Sequence, residues 1–191
     1  EMCIRDRLKR NFKRVNVVNN DINHIFDELH QLRDEYYSQD VFCENIHHRV
    51  VTNKWSVAEV VYHCYLLVRF TRQFSEYYLG FAKKIYKFIP ETKDHYMANI
   101  YLGKTMKAPK ILEPRLSKEY TIDELREMID KESDKIQKMF NTLSKEQQQR
   151  IRFPDPIPHY PNVIQTVKLL LIHEKHHYEI VKRREMLYER H

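Results

Sequence analysis

The sequence predicts an all-α protein, a four-helix bundle with a long crossover between helices 2 and 3. Only two of the 191 residues are glycine, whereas average usage would give about 13. Four segments repeat apolar residues at steps of three and four, as amphipathic helices do. Residues 81–120 separate the second segment from the third. This spacing is too long for a tight helical hairpin and is typical of a crossover connection.

The glycine deficit also excludes several function classes. Dinucleotide-binding turns and phosphate-binding loops need closely spaced glycines, but Gly80 and Gly103 lie far apart in the chain. β-Sandwiches and barrels need many tight turns, often at positive φ, which glycine adopts most easily. A mostly helical chain needs few such turns.

The first predicted helix runs from Asn20 to Tyr37. The second begins after Ser56, because Ser56 and Glu59 have the spacing of a capping box, and it is predicted to end near Gly80. Their apolar positions are Ile22, Ile25, Phe26, Leu29, Leu32 and Tyr36 in the first, and Val57, Val60, Val61, Cys64, Leu67, Val68, Thr71, Phe74 and Tyr78 in the second.

The third predicted helix begins at a second capping-box pattern, Thr121 to Glu124, and continues to about Leu143. The fourth begins near Asn162, after a proline-rich turn, and ends in basic residues 182–184, which suit a helix C-terminus. Its apolar face comprises Val163, Val167, Leu170, Leu171, Ile180 and Val181. A short helix is also predicted around Lys93–Leu102, between the second and third helices.

Three histidines occupy positions where the helical pattern calls for apolar side chains. His173 and His177 are four residues apart, so they share one face of the fourth helix, and that face continues through Leu170. His63 lies in step with Val60 and Leu67 on the second helix. Any one of them alone is also compatible with a hydrogen-bonded core histidine or an exposed one.

Together, the three inward histidines predict a metal centre, because burying polar rings without partners costs free energy. Imidazole suits Zn²⁺, Ni²⁺, Cu²⁺ and Fe²⁺. We expect Zn²⁺ or Ni²⁺ first, with Fe²⁺ or Mn²⁺ as alternatives. Three protein ligands leave a coordination position for water or substrate, as in catalytic sites.

Other residues are candidates for supporting roles. Glu59, His159 and His176 are candidates for a general base or proton donor, although capping is the simpler role for Glu59. Glu174 and Glu179 fall off the histidine face and are expected to be solvated. Aromatic side chains are expected near the centre, namely Trp55, Phe70, Phe74 and Tyr178.

Two rival classes are less favoured. A di-iron bundle needs two Glu-x-x-His motifs and two further glutamates on facing helices, but the match beside Glu174-x-x-His177 is Glu44-x-x-His47, outside the helical segments. A nucleic-acid binder is suggested by the net charge of +6 alone. Six basic and two acidic side chains fall in residues 1–14, which leaves the rest close to neutral.

Those first 14 residues are expected to be a disordered or non-native leader, and residues 15–191 to form a single domain. No apolar run reaches 18 residues and no signal-peptide pattern is visible. We therefore expect a cytoplasmic protein without membrane or nucleic-acid partners.

Two motifs resemble those of the DinB/YfiT-like superfamily. Residues 55–63, WSVAEVVYH, resemble its W-S-x-x-E-x-x-x-H segment, and residues 173–180, HEKHHYEI, resemble its closing H-x-x-x-H-x-x-Q-I segment. Residues 108–114, APKILEP, are similar to a loop in some members. The resemblance covers most of the chain from about residue 20, with Glu179 in place of the family's Gln.

The resemblance implies a four-helix bundle that binds a divalent metal through His63, His173 and His177. Some members are metal-dependent thiol S-transferases that use low-molecular-weight thiols such as bacillithiol or mycothiol, and others are classed as hydrolases. The expectation is therefore a metal-dependent transferase or hydrolase acting on a small molecule. The alternative is a non-catalytic metal- or ligand-binding sensor or stress protein. A homodimer is compatible with such bundle faces.

Overall fold

A computed structural model describes residues 21–92, 97, 108–155 and 159–188. The described helices are α1 (Ile22–Tyr37), α2 (Asp40–Cys43), α3 (Val57–Ile85), α4 (Ile122–Asn141), α5 (Lys145–Arg150) and α6 (Val163–Tyr188). Short 3-10 turns follow α3 and span Lys110–Leu112. The described ranges contain no β-strand, only an isolated bridge between Arg152 and Asn162. The prediction of an all-α protein is confirmed.

Local hydrogen bonds explain where the long helices begin. Ser56 Oγ accepts from Glu59 N at 3.3 Å, and the Glu59 carboxylate accepts from Ser56 N at 2.8 Å. Thr121 and Glu124 make the same exchange at the start of α4. Both predicted capping boxes are confirmed. Each box satisfies main-chain amides that have no partner within the first helical turn.

The second predicted helix ends later than expected. α3 continues through Gly80 to Ile85, so the prediction of an end near Gly80 is wrong. Gly80 is exposed, and a Cβ built on it would meet no other atom within 4 Å. A glycine in this position weakens a helix without stopping it, because its main-chain amide still bonds within the helix.

The long helices pack in a defined set of pairs. α1 contacts α4 and α6, and α3 contacts the same two helices. Buried apolar side chains from all four of them form the hydrophobic core. The contact between α3 and α6 brings together the two helices that carry the three inward histidines.

Other predictions from the sequence either differ from the structure or concern residues outside the described ranges. The pattern places Ile180 on the apolar face of the last helix, but it is 47% exposed, because α6 turns its Tyr178 and Val181 side chains inward instead. The leader, residues 1–14, lies outside the described residues. So does the short helix predicted around Lys93–Leu102, apart from Met97. No helix in the described ranges has both the length and the apolar character required to cross a bilayer.

Candidate metal centre

The three inward histidines converge between α3 and α6. One ring nitrogen from each of His63, His173 and His177 lies within 4.8 Å of the other two. His63 and His173 are 3% and 5% exposed, whereas His177 is half-buried. The α3–α6 contact and the four-residue spacing on α6 together place these rings, as the sequence pattern predicts.

The separation of two of the ring nitrogens fits a tetrahedral metal. His63 Nε2 and His173 Nε2 are 3.2 Å apart. Two nitrogens bound to one Zn²⁺ at 2.0–2.1 Å would be separated by about 3.3 Å in a tetrahedron. The His177 ring contacts both others, with centroids 4.8 Å from His63 and 4.4 Å from His173. The donor set and its spacing therefore suit a divalent transition metal.

A main-chain carbonyl orients His63. His63 Nδ1 donates to Leu112 O at 2.7 Å, which requires the proton of the neutral ring to sit on Nδ1. The Nε2 lone pair then faces the other two histidines. Metal-binding imidazoles commonly donate their second nitrogen in this way. Trp55 packs on the same ring, with centroids 5.0 Å apart.

The surroundings keep all three rings neutral. Burial lowers the pKa of His63 although its hydrogen bond to Leu112 acts in the opposite direction. Burial, followed by the neighbouring imidazoles, lowers the pKa of His173 well below its usual value and that of His177 to about 3. Neutral imidazole is the form that binds metals, so the cluster is ready to act as a ligand at neutral pH.

Glu59 is already engaged outside the cluster. Its carboxylate accepts from Arg49 Nε at 2.8 Å, from Arg49 Nη2 and from Ser56 N. Burial raises the pKa of Glu59, but these hydrogen bonds and the charge of Arg49 lower it overall. A carboxylate held in its charged form is a weak proton acceptor. The structure therefore favours the capping role over the catalytic one.

The other two candidates lie in different settings. His176 is half-buried and its ring lies beside His177, with centroids 5.5 Å apart. His159 lies in the exposed loop before α6, with a φ of 56°. His159 precedes the first residue of α6, Val163, and about 15 Å of helix separate that residue from His173. His176 is thus the candidate that the structure brings beside the centre.

One of the four expected aromatic side chains contacts the cluster within the described residues, and it is Trp55. Phe70 and Phe74 stack on each other along α3. Tyr178 is buried on another side of α6, against Tyr37 and Phe42. Tyr178 was expected near the centre, but it follows His177 by one residue, which turns its side chain by about 100° away from the three imidazoles.

Glu174 corrects a second expectation. It is 1% exposed rather than solvated, and it forms a bidentate ion pair with Arg33, which is fully buried. Sequence analysis missed this pair. The available signal was the position of Arg33 on α1, four residues after Leu29 and four before Tyr37, both of which are buried.

A cavity of about 280 Å³ shares the side chain of Trp55 with the histidine cluster. Trp55 forms part of its wall and also packs on His63, and Glu113 in the wall directly follows Leu112. Both charge signs are present, from arginines and glutamates. The full lining is Arg49, Trp55, Glu59, Ala108, Glu113, Pro114 and Arg115.

Comparison with known proteins identifies the family. The family model described as the DinB superfamily matches residues 26–181, a range that includes all three histidines. Curated proteins and solved structures gave no match. The matched range runs from the second turn of α1 into the last turns of α6, well over half of the chain. The chain therefore belongs to the DinB superfamily.

Proposed function

We propose that the protein is an enzyme that holds one divalent metal ion on His63, His173 and His177 and uses an open coordination position. One observation carries this proposal. Within the described part of the chain, no fourth His, Cys, Asp or Glu belongs to the cluster. Three protein ligands with a free position are typical of catalytic centres, whereas structural centres have four.

The chemistry would be transfer of a thiol or hydrolysis. A bound Zn²⁺ or Ni²⁺, or alternatively Fe²⁺ or Mn²⁺, would act as a Lewis acid that lowers the pKa of a thiol or a water. His63 is oriented by Leu112, and the buried rings exclude bulk water from one side of the centre. His176 lies close enough to His177 to handle a proton at the edge of the site.

The substrate would be a small molecule, with a low-molecular-weight thiol as one candidate. The cavity supports this proposal because Trp55, which forms part of its wall, also packs on the ring of His63. Its arginines and glutamates suit a ligand with both charged and apolar parts.

The same proposal covers the helix bundle, the cellular compartment and the partners. α1, α3, α4 and α6 would form the four-helix bundle, and the connection from α3 to α4 would be its crossover. Residues 15–191 would form one domain that works in the cytoplasm, as a monomer or homodimer, without nucleic-acid or membrane partners. The pairwise packing of the four long helices supports the bundle.

Metal content of the purified protein tests the centre. With Zn²⁺ or Ni²⁺ supplied during expression, wild type is expected to contain about one ion per chain by elemental analysis. His63→Ala and His173→Ala should lose it, because each removes a buried ligand. His48→Ala, at an exposed position outside the cluster, is the matched control and should keep it. A wild-type protein without stoichiometric metal would refute the proposal.

A second candidate is a non-catalytic centre closed by a fourth ligand. The ring of His176 beside His177 is the observation that favours it. X-ray absorption of the Zn²⁺ protein separates the two candidates. A closed centre would show four nitrogen ligands in wild type and three in His176→Ala. An open centre would show three imidazoles plus an exchangeable light atom in both proteins.

A further inference from the structure

A buried polar network lies beside the histidine row of α6, on the side that faces α1. Arg33 Nε and Nη2 donate to the two carboxylate oxygens of Glu174 at 2.9 and 2.6 Å. Arg33 also donates to Asp130 Oδ1 at 2.7 Å and to Ser133 Oγ at 3.0 Å. One guanidinium therefore ties α1 to both α4 and α6, in the fixed bidentate geometry that arginine and carboxylate adopt.

Two tyrosines extend the network. Tyr178 OH donates to Glu174 Oε2 at 3.0 Å, and Tyr37 OH is hydrogen-bonded to Tyr178 OH. Both tyrosines are buried. The Glu174 carboxylate thus accepts three directed hydrogen bonds from α1 and α6, which fix its position closely.

The network and the histidines occupy neighbouring rows of the same helix. Glu174 directly follows His173, and Tyr178 directly follows His177, so the two rows differ by about 100° around the axis. One row faces α1 and the other faces α3. Any rotation of α6 that moves one row must move the other.

A small rotation of α6 moves the histidine nitrogens by a large distance, because they lie far from the helix axis. An imidazole nitrogen lies about 7 Å from the helix axis, since the Cα radius is about 2.3 Å and the side chain extends beyond it. A rotation of about 10° would displace that nitrogen by about 1 Å. Metal–ligand distances tolerate only about 0.2 Å, so the rotation of α6 decides whether the three nitrogens match one ion.

Stability alone does not explain this buried ion pair. Replacing such a pair by apolar side chains of similar volume is often neutral or stabilising, because burying two charges is costly. Unlike an apolar contact, the ion pair fixes the orientation of its two side chains, and thereby of α6 relative to α1. We propose that Arg33, Glu174 and Tyr178 are positioning residues that set the rotation of α6 and so place His173 and His177 against His63. This inference rests on the proposed metal centre.

Co²⁺ binding to a double variant tests the inference. Arg33→Met combined with Glu174→Leu removes the two fully buried charges together. Asp130, which loses its bond to Arg33, is 25% exposed and keeps His30 beside it. The variant is expected to keep wild-type helicity, with its thermal midpoint lowered only by the loss of the Arg33–Asp130 pair. Its Co²⁺ dissociation constant should rise about 10- to 100-fold, as for other groups that orient metal ligands. Its visible absorption bands, which report coordination geometry, should lose intensity.

A second ion pair provides the matched control. Arg72 Nε and the Glu132 carboxylate join α3 to α4 at 2.5 Å without contacting a histidine. Arg72→Met with Glu132→Leu should leave the Co²⁺ affinity and spectrum unchanged. Equal losses in both double variants would show a general effect on stability and would overturn the inference.

The remaining outcomes separate the two proposals. If wild type binds no Co²⁺, the proposed metal centre fails. If wild type binds it and the Arg33/Glu174 variant binds it equally with the same spectrum, the positioning role alone fails. Should the double variant not fold, Tyr178→Phe decides, because it removes only one hydroxyl. It is expected to weaken Co²⁺ binding several-fold, and unchanged affinity would overturn the inference.

Discussion

At the residue scale, Asp130 on α4 shows how neighbouring groups control the charge of an acid. His30 Nδ1 lies 3.3 Å and Arg33 Nη1 2.7 Å from the same carboxylate oxygen. Burial raises the pKa of Asp130, but the hydrogen bond from His30 and the charge of Arg33 outweigh that effect and lower the pKa to about 2. The folded protein therefore favours the charged carboxylate more than the unfolded chain does.

This lowered pKa predicts a loss of stability in acid. The contribution of Asp130 is present above pH 4, near its usual pKa of 3.8, and is lost as pH falls toward 2. It amounts to about 1–2 kcal/mol after allowance for solvent screening. In Asp130→Asn, the free energy of unfolding by urea should fall less steeply between pH 5 and pH 3 than in wild type.

Asp134→Asn is the control for this measurement, because Asp134 is more exposed and lies 3.6 Å from the other nitrogen of His30. Its stability should follow the wild-type pH dependence. Parallel curves for wild type and Asp130→Asn would contradict the assignment.

Residue patterns predicted the histidines but missed the ion pair for one physical reason. His63, His173 and His177 each interrupt an apolar period, and several inward imidazoles together are typical of a metal site. Arg33 interrupts the period of α1 in the same way, but a buried charge requires a partner. That partner, Glu174, is 141 residues away, and no spacing within one helix reveals it.

At the element scale, α3 carries a glycine that its structure does not require. Gly80 lies inside the helix, and a Cβ there would meet nothing within 4 Å. Gly80→Ala should raise the free energy of unfolding by about 0.5–1 kcal/mol, because alanine restricts the unfolded chain and costs no packing. Thermal and urea unfolding would measure it, as a midpoint increase of about 1–4 °C.

Metal content serves as the control for Gly80→Ala and should match wild type, since Gly80 lies more than four turns beyond His63. A decrease in stability would contradict the prediction.

Helix starts were easier to predict than helix ends or short helices. Ser56 with Glu59 and Thr121 with Glu124 are local signals that survive in any tertiary context. The end of α3 depends on the packing of the residues beyond it, and Gly80 alone did not stop the helix. α2 and α5 contain four and six residues, which is too few for a 3.6-residue period to be recognised.

At the scale of the whole molecule, the candidate metal centre depends on two helices that are far apart in the chain. One histidine of the cluster comes from α3 and two come from α6, so the cluster exists only while these helices are packed together. An ion that binds the folded state alone stabilises it by mass action. Metal binding should therefore be visible as global stabilisation.

Adding Zn²⁺ to the chelator-treated protein should raise its thermal midpoint. At 100 times the dissociation constant, the gain in unfolding free energy would be about 2.7 kcal/mol. His48→Ala should show the same shift and His177→Ala should show none. A shift of equal size in His177→Ala would mean that the stabilising ion binds elsewhere.

The global arrangement was predictable only in part. Apolar periodicity and scarce glycine predicted an all-α chain, which the structure confirms. The wide inward surface of α6 could not be foreseen from one apolar stripe. That helix turns the histidine row toward α3 and the Glu174 and Tyr178 row toward α1, so polar side chains join the apolar ones among its buried residues. The partners of those polar side chains lie on other helices, and no apolar stripe reveals them.

The hydrogen bond from His63 to Leu112 has an implication for sequence variation. Its acceptor is a main-chain oxygen, which every amino acid provides. Substitution at position 112 can therefore alter packing without deleting the group that orients His63. The orientation of the His63 ring therefore depends on the path of the backbone through the Lys110–Leu112 turn. A substitution at position 112 therefore keeps the acceptor, whereas an inserted or deleted residue in this turn would move the acceptor away from His63.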